Sequence, residues 1–243
     1  MSEQKVLIVT GGGSGLGEAT ARVFAKAGYH IACVDIREAA AQRVCDELQR
    51  EDVPCIALQC DVGDADAIAR TVTAVLERWG RVDVIVNNAA VDHTMSVHEM
   101  TVAQWDQVLD VNLRGPFVMA KTAWPTMIEQ GGGHIVNIAS TAATRAWANA
   151  AAYHASKWGL VGFGRGLGVE GRPHNIRVTT IIPGGMRTHF FDRFVEQGIP
   201  MPDMEKLQDP ANVAQTILFA VQMPAGSALQ EVIITPTGET SWP

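Results

Sequence analysis

Short apolar runs alternate along the chain with longer stretches whose apolar residues recur at helical spacing. The short runs are 5–10, 30–35, 55–60, 82–86, 134–138, 177–181 and 231–235. The helical stretches are 16–27, 38–50, 64–79, 102–130, 151–170 and 210–221. Most of the short runs are nearly continuously apolar and do not alternate, the pattern of strands covered on both faces. So regular an alternation predicts βαβ units and an α/β fold: a doubly wound, seven-stranded parallel sheet with helices on both faces. No linker-like tract divides the chain, so residues 1–243 read as one domain. Gly198, Pro200 and Pro202 oppose a long helix after the sixth strand, and a substrate loop is expected around 184–208.

Sheets of this kind bind ligands beyond the carboxyl ends of their strands, and the chemically distinctive residues fall there. Gly11, Gly12, Gly13, Gly15 and Gly17 follow strand one, Asp35 ends strand two, and Asp61 follows strand three. Asn87-Asn88-Ala89-Ala90 follows strand four, Ser140 strand five, and Pro183-Gly184 strand six. The glycines allow a sharp turn and close backbone approach, and the helix start behind them suits a pyrophosphate. The G-x-G-x-x-G fingerprint is absent, because Leu16 falls where its third glycine belongs. T-G-x-x-x-G-x-G fits instead, through Thr10, Gly11, Gly15 and Gly17. Asp35 is placed to accept from a ribose 2′-hydroxyl and to repel a 2′-phosphate. NAD is therefore expected ahead of NADP. Ser14 is the polar side chain of the loop, which carries no basic residue of its own.

Tyr153 and Lys157 stand four residues apart in a helical stretch and share one face. An ammonium about 4 Å from a phenol is worth about 4 kcal/mol at an effective dielectric near 20, or roughly three pKa units. That would bring a phenol near neutrality, where general acid–base catalysis works best. Alone, the two residues read more readily as a common surface pair. Ser140 adds a hydroxyl able to stabilise a substrate oxygen. Asn112 sits inside a helical stretch beside Gly115-Pro116, a place for the helix to bend and free backbone groups.

Thr10–Gly17, Asp61-Val62, Asn87–Ala90, Asn112, Ser140, Tyr153-His154-Ala155-Ser156-Lys157 and Pro183-Gly184, in this order, resemble the short-chain dehydrogenase/reductase family in its compact form. The resemblance covers nearly the whole chain and implies a Rossmann fold. It implies a catalytic tetrad of Asn112, Ser140, Tyr153 and Lys157. In it Tyr153 is the acid–base, Ser140 orients the substrate oxygen, Lys157 binds the nicotinamide ribose, and Asn112 holds a proton-relaying water. It further implies cofactor contacts from Gly11, Ser14, Gly15, Leu16, Gly17, Asp35, Asp61, Val62, Asn88, Pro183, Gly184, Met186 and Thr188. The implied reaction is hydride transfer between NAD(H) and an alcohol or ketone. The alternatives are an NADPH-dependent 3-oxoacyl-thioester reductase, which Asp35 opposes, and a non-catalytic NAD sensor, which an intact tetrad opposes. Helices 102–130 and 151–170 match family helices that pack between subunits, so a homotetramer is expected, with a homodimer as the alternative.

Composition narrows the reading. A net charge of −7 opposes nucleic-acid binding, and 47% hydrophobic residues supply a sizeable core. No apolar run approaches the roughly 18–20 residues of a membrane span, and the apolar stretch near the N-terminus runs into glycines as a strand does. A cytoplasmic protein without a membrane partner is expected. The four cysteines form no C-x-x-C pair and are expected as reduced thiols, and no histidine cluster suggests a metal. Arg145 and Arg187 are candidate ligands for an anionic substrate, with solvated arginines as the plainer reading. Ala90 stands where the family usually has glycine, a minor departure. The C-terminus lacks the common Asp-Gly-Gly, and Trp242 is a candidate subunit anchor.

Overall fold

The computed structural model describes residues 4–239 other than 197 and 200; Trp242 lies outside the described residues. Seven strands form one sheet: β1 (Val6–Thr10), β2 (His30–Asp35), β3 (Cys55–Gln59), β4 (Val84–Asn87), β5 (Gly133–Ile138), β6 (Ile176–Pro183) and β7 (Glu231–Ile234). They lie in the order β3-β2-β1-β4-β5-β6-β7, and every pairing is parallel. The helices are α1 (Gly15–Lys26), α2 (Glu38–Gln49), α3 (Ala65–Trp79), α4 (Val102–Leu109), α5 (Gly115–Glu129), α6 (Ala151–Gly171), α7 (Asp192–Glu196) and α8 (Pro210–Val221). All seven expected strands are present, with ends moved by at most two residues.

The unbroken apolar runs have a simple cause. Successive side chains of a strand point to opposite faces, and here both faces are covered. Leu7, Val9, Ile31 and Val86 pack with α1, α2 and α8. Their neighbours Val6, Ile8, Ala32 and Ile85 pack with α3 and α5. β7 is an edge strand, and its exposed Glu231 and Ile233 alternate with half-buried Val232 and Ile234.

Two expectations are corrected. The stretch 102–130 is not one helix. A π-helical turn, Asp110–Arg114, separates α4 from α5. Apolar spacing runs straight through it, because a π-turn adds one residue without exposing the buried face. The cysteines are not all thiols: Cys45 and Cys55 form a disulfide, with Cα atoms 5.2 Å apart. Cys45 lies on the buried face of α2, and the turn after α2 returns the chain so that β3 begins beneath it. The spacing of ten residues carries no sign of this return. Cys33 and Cys60 are buried free thiols, and burial pushes the Cys33 pKa up to about 12. Reducing the disulfide is expected to cost about 3 kcal/mol, the chain-entropy value for so short a loop. Urea unfolding with and without reductant measures this; coincident curves would show that the bridge contributes nothing.

The order of strands places the site. From β1 the chain winds outward to β2 and β3, then crosses back to lay β4 on the other side of β1. The loops after β1 and β4 diverge there and leave a crevice at the carboxyl edge.

Candidate active site

A cleft of about 1480 Å³ opens at that crevice, larger than the ~300–1000 Å³ of ordinary small-ligand pockets. Its walls include Gly11, Ser14, Gly15, Leu16, Asp35, Asp61, Val62, Asn88, Ser140, Tyr153, Lys157, Pro183, Gly184, Met186 and Thr188. Of the expected site residues, Gly17 and Asn112 stand behind this wall.

The glycine loop is built for close approach. Gly11 has φ +63°, and a Cβ on Gly17 would lie 2.6 Å from the Gly11 carbonyl carbon. The loop is held from outside. Thr10 Oγ1 accepts from the backbone N–H of Asn88 and of Ala89, at 3.0 and 3.1 Å. Asn88 Nδ2 donates to the carbonyls of Thr10 and Gly11, at 2.9 and 3.3 Å. Asn88 thus stitches the end of β4 to the loop after β1 as well as lining the cleft.

Asp35 is 6% exposed. Its Oδ2 accepts from Gly13 N at 3.0 Å and its Oδ1 from Arg37 N at 3.0 Å. The loop is less bare of cations than its own residues suggest. Arg37 Nη2 donates to Ser14 Oγ at 3.3 Å, and its Nε lies 3.6 Å from Asp35. Arg43, on α2, donates to Gly13 O at 3.0 Å. Asp61 Oδ1 accepts from Gly63 N at 2.8 Å, which fixes the loop after β3 beside buried Val62.

At the chemical end, α6 carries Tyr153 and Lys157 on its buried face, 8% and 2% exposed. Lys157 Nζ donates to Ile138 O at 2.8 Å and sits 5.6 Å from the centre of the Tyr153 ring. Burial lowers its pKa to about 7. The expected fixed ammonium is therefore itself poised to titrate near neutrality, because the same burial that shields the pair penalises the charge. Ser140 Oγ accepts from Ala142 N at 3.1 Å, which leaves its O–H proton for a ligand oxygen. Asn112 lies in the π-turn, 1% exposed. Its Oδ1 accepts from Val91 N and its Nδ2 donates to Val91 O, both at 2.8 Å, and Nδ2 also donates to Ser156 Oγ at 3.1 Å. Its side chain therefore clamps the segment after β4 onto α6.

The segment after β6 covers the cleft. Thr188 caps a short 3-10 turn, and its methyl group would touch a Cβ on Gly15 at 3.2 Å. Phe190 stacks obliquely on Tyr153, with ring centres 5.6 Å apart. No long helix forms here among the described residues; α7 has five residues. Arg187 does not line the cleft: it donates to Leu207 O at 3.0 Å and lies 3.4 Å from Asp209. His93 meets Gln107 at 2.8 Å and is likewise outside the wall. Arg145 does line the cleft, paired with Glu239.

Two residues that shape the site were given no role by the sequence. His154 Nδ1 lies 2.7 Å from Ala142 O, and its Nε2 accepts from Trp147 N at 3.1 Å, so it pins the loop between β5 and α6. Glu239 reaches the cleft from the far end of the chain. No helix among the described residues is long and apolar enough to cross a membrane, and no group among them has the makings of a metal site.

Known proteins share this architecture. The family model described as short chain dehydrogenase matches residues 5–198. An uncharacterized oxidoreductase of Thermotoga maritima is 38% identical over 77% of this chain and 73% of the relative. D-threitol dehydrogenase of Mycolicibacterium smegmatis is 39% identical over 74% and 69%. A metagenomic short-chain oxidoreductase, solved with NADP, superposes with a TM-score of 0.83 at 32% identity, over 96% of this chain and 97% of that one. With a family match over most of its length, the same fold and relatives at this identity, the chain belongs to the short chain dehydrogenase family, oxidoreductases that move a hydride between a nicotinamide cofactor and an alcohol or ketone.

Proposed function

We propose that this protein is an NAD(H)-dependent dehydrogenase or reductase of an alcohol or ketone, with Tyr153 as its general acid–base. The observation that carries the reading is the convergence of Tyr153, Lys157 and Ser140 on one wall of a cleft whose other end is a glycine cradle beside Asp35. The cradle suits a dinucleotide, since Gly11 and Gly17 leave no room for side chains where a pyrophosphate approaches the backbone. When bound, a nicotinamide supplies the hydride chemistry. The remaining work belongs to the chain. Ser140 donates to the substrate oxygen. Tyr153 takes or returns its proton. Lys157 binds the ribose hydroxyls and biases the phenol toward its ionised form. Gly11, Ser14, Gly15, Leu16 and Gly17 hold the phosphates, Asp61 and Val62 the adenine, and Asn88, Pro183, Gly184, Met186 and Thr188 the nicotinamide side. Asn112 positions the segment after β4, and the backbone groups freed by its π-turn are suited to hold a relay water. Phe117 and Trp158, 47% and 55% exposed on α5 and α6, support a homotetramer packed through those helices.

Asp35 carries the choice of NAD. A 2′-phosphate would meet a carboxylate already fixed by two backbone N–H groups. The second reading, NADP, rests on Arg37, which lies against both Asp35 and Ser14. Kinetics with both cofactors decide between them. The wild type is expected to favour NAD at least tenfold in kcat/KM. Asp35→Ser should shift the ratio toward NADP by roughly tenfold or more, the equivalent of about 1.4 kcal/mol. A wild type that prefers NADP overturns the assignment.

A further inference from the structure

The cleft wall beyond Ser140 carries a charged pair that the chemistry above does not use. Arg145 lies in the loop between β5 and α6, five residues after Ser140, and Glu239 lies in the segment after β7. Both line the cleft, and their side chains form an ion pair, 25% and 14% exposed. The approach of Glu239 is shaped by its surroundings. Its backbone N–H donates to Pro236 O at 3.0 Å, closing a turn. Its carboxylate stands over Gly184, where any Cβ would collide with it. Pro236 would meet the same Cβ at 2.9 Å. The glycine just after β6 therefore makes room for a carboxylate at the wall of the cleft.

We infer that Arg145 and Glu239 form a subsite that reads neutral vicinal hydroxyls, so that the substrate is a diol or polyol, or its hydroxyketone, and not a hydroxy acid. This rests on the dehydrogenase reading above. A guanidinium only donates and a carboxylate only accepts. Together they match a hydroxyl, which does both, and their charges cancel. A substrate carboxylate gains nothing from this wall: the cation that would bind it is already paired, and the anion beside it repels. A simple monoalcohol brings no second hydroxyl to this polar wall and so forgoes the hydrogen bonds a diol would make there. In oxidation the carbinol carbon gives its hydride to the oxidised nicotinamide and its hydroxyl gives its proton to Tyr153. The neighbouring hydroxyl stays intact on the Arg145–Glu239 wall, and the product is a hydroxyketone.

A four-carbon panel tests this: threitol, butane-2,3-diol, butan-2-ol and 3-hydroxybutyrate, each with NAD and with NADP. The wild type is expected to oxidise the polyol or the diol with kcat/KM at least tenfold above the other two. Glu239→Gln keeps the shape but releases the arginine, and should raise 3-hydroxybutyrate relative to the diol by about tenfold. Arg145→Gln should lose the diol without gaining the acid, and it decides the matter if the first variant fails to fold. A wild type that prefers butan-2-ol or 3-hydroxybutyrate overturns the inference while leaving the dehydrogenase standing. So does a ratio that stays within twofold in a folded Glu239→Gln. No nicotinamide reduction with any of the four, when longer secondary alcohols do react, also overturns it. No reaction with any alcohol overturns the dehydrogenase reading and this inference with it.

Discussion

Replacing Tyr153 by phenylalanine is expected to lower kcat/KM by about 10²–10⁴-fold, the range of a lost general acid–base, while changing nucleotide affinity by less than about threefold. The substitution removes one oxygen and keeps the ring. That ring packs against Phe190, Ala142 and Ala150, so the fold and the cover of the cleft should persist. Ser140 keeps its bond to Ala142 and still offers a proton to the substrate oxygen. The residual rate then reports what positioning and that hydrogen bond achieve without proton transfer. Nucleotide titration followed by fluorescence, beside steady-state kinetics, separates the two effects. Undiminished turnover in the variant would remove Tyr153 from the mechanism.

Lys157→Met is expected to act in two opposite directions. Activity should fall by about 10²-fold or more, because the cation that favours the phenolate is gone. Stability without nucleotide should rise. Burial lowers the Lys157 pKa from 10.5 to about 7, so between those values the unfolded chain holds a proton that the folded chain does not. Stability then increases with pH across that window. The penalty builds as pH falls from 10.5 and is fully present below about 7. Three and a half units correspond to an upper bound of roughly 5 kcal/mol at about 1.4 kcal/mol each. Losing the hydrogen bond to Ile138 returns about 1–2 kcal/mol of that. A gain of roughly 2–4 kcal/mol at about pH 6, shrinking toward pH 10, is the expected difference between the unfolding curves. A variant less stable than the wild type at low pH would show that the folded protein does not bear this cost.

How legible the molecule was depended on whether the signal was local. Strands such as 30–35 and 134–138 showed themselves because burial on both faces leaves no alternation of polar and apolar positions. The strand ends then gathered Gly11, Asp35, Asn88, Ser140 and Pro183 into one crevice through topology alone. Tyr153 and Lys157 were legible as a pair because helical spacing sets their shared face. Contacts between distant segments were not. The disulfide depends on how the turn after α2 returns the chain. The clamp of Asn112 on Val91 depends on a π-turn that periodicity does not register. The pairing of Arg145 with Glu239 joins two loops 94 positions apart, and no spacing rule reaches that far. The lowered pKa of Lys157 was not legible for another reason: the depth of α6 in the structure sets its desolvation, and the sequence shows which face of a helix is buried without showing how deeply.

Thr188 lies against Gly15 of the glycine loop, and two residues later Phe190 lies against Tyr153. On the proposed reading, one short span of backbone therefore roofs both the nucleotide and the reacting alcohol. Its position is a shared variable. Whatever one ligand contributes to fixing it, the other no longer has to supply, and the linkage is reciprocal in free energy. A change at His189, which sits between the two contacts, would then alter the affinity for both ligands together, so selection for a new substrate through this span would also retune the grip on the cofactor.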